Sequence, residues 1–550
     1  MRKKRLMSLL AVGASGVALA ACGGSSDEGG STGATTGGDG GEPAAAATAI
    51  ALEGTPSGDA ELTIGMITRP DSLDPHKTLL DASLAVLSYT YDHLLAPGPG
   101  GRLVPGLAES WEETPRQATF TIREGATCSD GSPVTASTVK RNLDDVKDPK
   151  VGSALLGLGV PTADYAVTAD DRARTVTIRL DEPNGTLVPS LQLVPIICGR
   201  GLRDRAMLET RTSGSGPYEL TDTVPGERYV LRRRDDYAWG PEGSLPTAEL
   251  PRTVTIRVVT NPTTMANLLL AGDLDTAVLD GADAERVSDR GLAMAALPTS
   301  VIFSIPNQSS DRPTGDPAVR QALALALPRE QLAEVYLDGV GTLADGITTP
   351  DIACVDDGVA AALPTGGAEE AQRLLDEAGW RAGSDGIRVK DGRRLSLRAP
   401  QPNDFAGFDA GMELIVAALK EVGIEVRPQP MDSGALVAAA FGGDWDLLPG
   451  FQIGMNLPSQ LVPFFSGPAP DRGQNFTNGA NAAFEQAARR AIALAGEESC
   501  ATWREAEEAL LAAGDIVPVV EMPTRYFAND GVGFELSWWG PIPTSLQAAG

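Results

Sequence analysis

The sequence predicts a mixed α/β (α+β) fold, on three observations. Helical and strand periodicities interleave along nearly the whole chain. Val254–Val259, Thr263–Leu270 and Asp273–Leu279 read as strand, helix, strand, the βαβ unit of a parallel sheet, whose ligands bind beyond the carboxyl ends of the strands. The 550 residues exceed what one hydrophobic core organises, so about three lobes are expected.

In chain order, Arg2, Lys3, Lys4 and Arg5 form a basic start, and Leu6 to Leu19 an apolar run too short to span a bilayer comfortably. Leu19-Ala20-Ala21-Cys22 closes it as a lipobox, which implies cleavage before Cys22 and acyl chains on its thiol; a plain secretory peptide cleaved near Ala21 is the alternative. Residues 22–58 are nearly all small or polar and cannot bury enough apolar surface to offset the entropy of ordering, so they are expected to form a disordered tether.

Residues 60–66 alternate as a first strand, and Ala82 to Leu95 reads as a helix. Leu107 and Trp111, four apart, predict a short helix, Thr119–Arg123 a strand, and Asp130-Gly131-Ser132-Pro133 a turn. Thr135 is placed to cap a helix that carries Val139, Leu143 and Val146. Strands are expected at 165–168, 175–180, 218–220, 228–233, 301–305, 424–428 and 446–451, and helices at 317–327, 368–378, 408–421 and 479–495. IVPVVEM, from residue 516, reads as a late strand.

Composition narrows the function. Hydrophobic residues make up 42% and charged residues 21%, ordinary for a globular protein. The formal charge of −28 becomes −32 when residues 1–21, with four basic and no acidic side chains, are removed, which argues against nucleic acid as a partner. No stretch reaches 18 apolar residues, so a lipid at Cys22 is the one membrane attachment expected. There are two histidines, His76 and His93, and neither lies near a Gly-x-Ser-x-Gly elbow, an H-E-x-x-H pair or a candidate catalytic cysteine. Ser213-Gly214-Ser215-Gly216 lacks the lysine of a phosphate loop. No enzyme, metal site or cofactor is therefore expected.

Several stretches in fixed order resemble one family. VPGLAESW at 104–111, TFTIREG at 119–125, DGSP at 130–133 and VTASTV at 134–139 are joined by SLDPHK at 72–77 and YDHLL at 91–95. GSGPYEL at 214–220, AGDLDTAVL at 271–279, DPAVRQALALAL at 316–327, AQRLLDEAGW at 371–380 and VGIEVRPQ at 422–429 follow. Together they resemble the extracellular solute-binding proteins of the oligopeptide, dipeptide and nickel class, the receptors of ABC importers. The resemblance implies a type II periplasmic-binding-protein-like fold, with two main lobes, an extra small lobe and a hinge of two crossings. Residues 59–96, 211–299 and 516–550 would build lobe I, 97–210 the small lobe and 300–515 lobe II.

It further implies a monomeric, lipid-anchored receptor on the extracytoplasmic face of the cell membrane, capturing a small solute or oligopeptide for the permease subunits of an ABC importer. A sensing lipoprotein, a receptor for a glycan or metal chelate, and a surface hydrolase remain as alternatives. The ligand contacts it suggests are Tyr91, Asn307, Phe451, Gln452, Met455, Asn456 and Trp538; Phe451 and Met455 could equally be core, and adjacent Trp538 and Trp539 point opposite ways on a strand. Peptide-binding members place an Asp ahead of a Pro in the loop matching QIGMNLP (452–458), whereas this chain has Asn456, so Asp404 or Asp432 is expected to supply the charge if the solute carries an amine. Cys128, Cys198, Cys354 and Cys500 allow three pairings; Cys128–Cys198 and Cys354–Cys500 keep each bridge inside one lobe, and buried free thiols are the alternative.

Overall fold

The computed structural model describes residues 48–97, 102–337, 341–349, 354, 358–403, 407–455, 457–470 and 472–550. Cys22, and with it the lipobox, lies outside them.

A nine-stranded sheet runs through the molecule. Its order is Leu447–Ile453, Ala293–Pro306, Val517–Ala528, Thr276–Val278, Glu61–Met66, Thr253–Val258, Arg228–Arg233, Tyr218–Val224, with Thr342–Leu343 added beside Val517–Ala528. Thr253–Val258 and Thr276–Val278 flank Glu61–Met66 in parallel, and the helix Pro262–Ala271 connects them. Asn261 caps that helix through Thr264 N–H, Pro262 fits its first turn, and Gly272 ends it at φ 76°.

Two of these strands are long because they serve both halves of the molecule. Along Ala293–Pro306, Ala295 and Leu297 pack into a cluster with Leu62, Ile64, Tyr218 and Val254, while Val301, Phe303 and Ile305 pack into another with Leu323, Ile415 and Trp445. Val517–Ala528 returns antiparallel: Val517, Val519 and Val520 join the second cluster, and Ala528 the first. Ile516, Val517, Val519 and Val520 thus pack in the same cluster as Leu323 and Trp445. Between the clusters Pro298 stands opposite Pro523, and the register shifts by one residue at Thr299. Neither proline has an N–H, so this pair exchanges no ladder hydrogen bond.

A separate antiparallel sheet, in the order Ala108–Thr114, Gln117–Ile122, Thr175–Leu180, Tyr165–Asp170, forms the small lobe with the helix Ala136–Lys147. Thr135 caps this helix through Thr138 N–H. Trp111 is on a strand here, opposite Phe120, and not on a helix. Spacing by four places two side chains on one face of a strand as well as of a helix, and pairing with the strand Gln117–Ile122 decides between them. The small-lobe core takes in Leu94, Leu95, Tyr237 and Trp239, from outside residues 97–210, and leaves Ile197, Leu202 and Leu208 to the neighbouring cluster.

The helix expected over residues 82–95 stops at Leu87. Beyond it the backbone is claimed from elsewhere: Gly216 N–H donates to Thr90 O at 3.0 Å and Tyr218 N–H to Tyr89 O at 2.9 Å. The approach requires glycine, since a Cβ at residue 214 would stand 2.1 Å from Thr90 O. Residues 49–57, expected in the tether, are instead folded onto the protein: Ala49–Ile50 pairs with Phe534–Glu535 and Ser57 N–H donates to Ala548 O at 2.8 Å. Ile50, buried in the first cluster, is an apolar anchor hidden in a stretch of small residues.

Both cysteine pairs are bridged, Cys128 to Cys198 with Cα atoms 6.0 Å apart and Cys354 to Cys500 at 4.6 Å. The first bridge lies within the small-lobe core, and the second ties the segment at 354 to the start of the helix Cys500–Ala512.

Candidate solute-binding cleft

The parallel strands end side by side, and the chain leaving Val278 reaches the crossing strands. Leu279 N–H donates to Arg525 O at 3.2 Å, which sets Asp280 beside the Arg525 side chain. Asp280 occupies the N-cap position of the helix Gly281–Ser288 but makes no side-chain capping bond. Its Oδ1 lies 3.7 Å from Arg525 Nε, past hydrogen-bonding distance. Half of the Asp280 side-chain surface is open, while that of Arg525 is nine-tenths buried. Desolvation raises the Asp280 pKa, and the neighbouring guanidinium offsets this only in part. Asp280 is thus crowded by Arg525 on one side and open to solvent on the other.

On the lobe II side of the proline pair, Gln452 Nε2 donates to Ser300 Oγ at 2.7 Å and Thr342 Oγ1 to Glu521 at 3.0 Å. Glu521 and Arg525 stand four residues apart on one strand and so share a face, one on each side of Pro523. Thr299, the extra residue of the register shift, contacts Thr524 Oγ1 at 2.9 Å and donates to Met522 O at 3.3 Å. Polar side chains from both lobes therefore surround the crossing.

Of the residues suggested by sequence, Gln452 reaches this region. Tyr91 is buried with its hydroxyl accepting from Ser213 N–H. Asn307 is fully enclosed: its amide donates to Trp445 O at 2.9 Å, and its Oδ1 accepts from Ser309 N–H and Asn478. Phe451 packs on Phe476 with ring centroids 4.7 Å apart, and Met455 lies in the same core. Phe451 and Met455 are turned into the cluster that also takes in Val301, Phe303 and Trp445, and Tyr91 and Asn307 are held inside by their hydrogen bonds. Trp538 sits in the turn after the strand Val532–Ser537, half-buried, its indole N–H without a partner among the described residues. Its neighbour Trp539 stacks on His93 at 5.8 Å and closes a cavity of about 20 Å³ lined by Leu84, Leu155 and Leu193, room for one water rather than a solute. Asn456 and Asp404 lie outside the described residues, and Asp432 is spent as a cap, accepting from Ala435 N–H.

Sequence reading missed Asp280, Arg525 and Glu521. Asp280 reads as an ordinary N-cap, and only the crossing of the distant strand brings Arg525 to it. Gly185 was missed too. Its N–H donates to Ile492 O at 2.7 Å, joining the small lobe to the end of the helix Ala482–Ile492. A Cβ there would stand 1.7 Å from Leu494 O.

Among the described residues no helix is long and apolar enough to cross a membrane, and no group of His, Cys, Asp and Glu is arranged to hold a metal ion. Comparison with known proteins places this geometry. Residues 102–470 match the family described as bacterial extracellular solute-binding proteins, family 5 Middle. Protein XP55 of Streptomyces lividans is 30% identical over 409 residues, 70% of this chain and 69% of the relative. The oligopeptide-binding protein AppA of Bacillus subtilis is 25% identical over 460 residues, 81% of this chain and 79% of the relative. A substrate-binding protein from Microbacterium hydrocarbonoxydans, solved with 4-hydroxybenzoate hydrazide, superposes with a TM-score of 0.69 at 27% identity, covering 89% of this chain and all (100%) of that one. The architecture is that of type II periplasmic binding proteins, and the homologues are solute-binding proteins of ABC importers, not enzymes. The chain belongs to the bacterial extracellular solute-binding proteins of family 5.

Proposed function

We propose that this protein is a lipid-anchored receptor that closes two lobes over a small solute, preferentially an oligopeptide, and presents the closed form to the permease of an ABC importer. The observation that carries the reading is the crossing itself: two antiparallel strands join the lobes, and their ladder is interrupted where Pro298 faces Pro523. Contacts made by both lobes to one solute exist only when the lobes are closed, so the solute shifts the open–closed equilibrium by its differential affinity. The relative AppA is named for oligopeptide binding, which supports a peptide. A non-peptide solute is the second reading, favoured by the hydrazide bound to the Microbacterium relative and by the neutral Gln452–Ser300 contact.

Leu19-Ala20-Ala21-Cys22 supports the anchor. Cys22→Ser should move the protein from the membrane to the soluble fraction, and full retention on the membrane would remove the anchor from the account. The solute is sought by native mass spectrometry of the protein purified from cell envelopes. A dissociable small-molecule adduct, released chemically unchanged, is the expected result; conversion of the released compound by the protein would mark a hydrolase instead.

A further inference from the structure

We propose that Asn184-Gly185 is a self-modification site, at which the Gly185 backbone nitrogen displaces ammonia from the Asn184 side chain and water then opens the resulting succinimide ring to isoaspartate or aspartate. The reaction consumes one water and releases one ammonia, with no change of oxidation state.

Three observations meet in this loop, which follows the strand Thr175–Leu180. The Asn184 Oδ1 accepts from Thr186 N–H at 2.9 Å and from Thr186 Oγ1 at 2.7 Å. When a nitrogen attacks Cγ the negative charge gathers on that oxygen, so the two donors stand where the oxyanion forms. The Asn184 Nδ2, the leaving group, makes no hydrogen bond among the described residues, and the residue is only half-buried. Gly185 offers the nucleophile with no side chain to obstruct the approach, and its N–H donates to Ile492 O at 2.7 Å. That bond holds the nitrogen until the loop parts from the helix Ala482–Ile492, so the ring closes only in moments of local opening.

The sequence holds a second Asn-Gly, Asn478-Gly479, and its surroundings are the opposite. There Nδ2 donates to Asn307 Oδ1 at 3.1 Å, Asn307 is itself enclosed, and no donor meets the Asn478 Oδ1 among the described residues. The Gln308 side chain fills the space over Gly479. With its leaving group tied and its carbonyl unassisted, Asn478 is an internal reference for the same dipeptide chemistry. At position 184 the product cannot keep the loop where it is. Isoaspartate lengthens the backbone by a methylene, where a Cβ on the next residue would already stand 1.7 Å from Leu494 O. Either product also sets a carboxylate one residue from the Gly185–Ile492 bond, at the carbonyl end of a helix, which is the negative end of its dipole. Deamidation therefore parts the loop from the helix permanently.

The test ages the mature full-length protein in mildly alkaline buffer and follows both sites by peptide mapping, with isoaspartate scored by enzymatic methylation. Native protein should convert Asn184 faster than Asn478 by about tenfold, and protein unfolded in urea should convert the two at similar rates. Thr186→Val removes one of the two oxyanion donors and should slow conversion of Asn184 in the native protein by about tenfold. A merely structural role for Thr186 would loosen the loop and speed conversion instead, so the sign separates the two. The converted fraction, resolved by its added negative charge on anion exchange, should melt below the unconverted one. Native conversion at Asn184 no faster than at Asn478, or conversion in Thr186→Val that is unchanged or faster, overturns the inference. A converted fraction that melts like the unconverted one overturns its link to the Ile492 contact.

Discussion

The amide of Gly185 donates to the carbonyl of Ile492 across 2.7 Å, and this bond ties the loop after the strand Thr175–Leu180 to the end of the helix Ala482–Ile492. No side chain larger than hydrogen fits, because a Cβ would stand 1.7 Å from Leu494 O. Gly185 is not among the glycines with positive φ, so alanine costs it nothing in backbone conformation and interferes only with this contact. Gly185→Ala should therefore force the two segments apart, lowering the melting temperature of the solute-free protein and the solute affinity together, the latter by about tenfold, the effect of roughly 1.4 kcal/mol. Calorimetric titration with the native solute, beside a thermal melt of the stripped protein, checks both halves of this expectation.

The hinge makes a second prediction. Replacing Pro298 and Pro523 together by valine supplies the two missing N–H groups and favours a continuous ladder across the crossing. Closure should slow several-fold, as followed by stopped-flow tryptophan fluorescence on adding solute. An unchanged closing rate would place the flexible point elsewhere.

Acid should loosen the seam between lobe I and the small lobe. His76 is buried with Nε2 against Pro195 O at 3.1 Å, and burial first, then the charge of Arg205, lowers its pKa to about 4. Burial lowers His93, stacked on Trp539, to about 4 as well. Both bind a proton more readily when unfolded, near pH 6.5, so the stability they contribute is present above that pH and lost as the pH falls towards 4, at about 3 kcal/mol for His76. Asp92 opposes them. Burial raises it to about 6 despite hydrogen bonds from Trp239, Ser215 and Tyr237, so its contribution is present below its unfolded pKa and lost as the pH rises through 6. Two histidines outweigh one aspartate of similar shift. The urea midpoint should fall between pH 6.5 and 4, and His76→Gln should flatten that slope.

The two bridges are expected to stabilise by about 4 to 5 kcal/mol each on the chain-entropy model, given loops of 70 and 146 residues. Peptide mapping without reduction should recover Cys128 joined to Cys198 and Cys354 joined to Cys500. Four alkylatable thiols in protein purified under oxidising conditions would remove both.

The legible parts of this fold were those set by local chemistry or by a pattern repeated along the chain. Thr135 as a cap, the strand–helix–strand run through residue 279 and the crossing strands near 300 and 516 could all be read from neighbouring residues. What escaped was decided at long range. Trp111 has a spacing common to helix and strand, and only its pairing with Phe120 chooses between them. Residues 88–91 leave the helix because Gly216 and Tyr218 take their carbonyls. Asn307 and Phe451 are polar and aromatic residues at strand ends, which suit a cleft as well as a core, and the covering of the sheet turned them inward. Asp280 meets Arg525 across 245 positions of sequence, a separation no local pattern reports.

The account's central claim is closure over a solute about the Pro298–Pro523 crossing, and small-angle X-ray scattering tests it most directly. Protein carrying its co-purified solute should show a smaller radius of gyration than the same protein stripped by reversible denaturation, and adding the solute back should restore the smaller value. A scattering curve that does not change on stripping and reloading would contradict it.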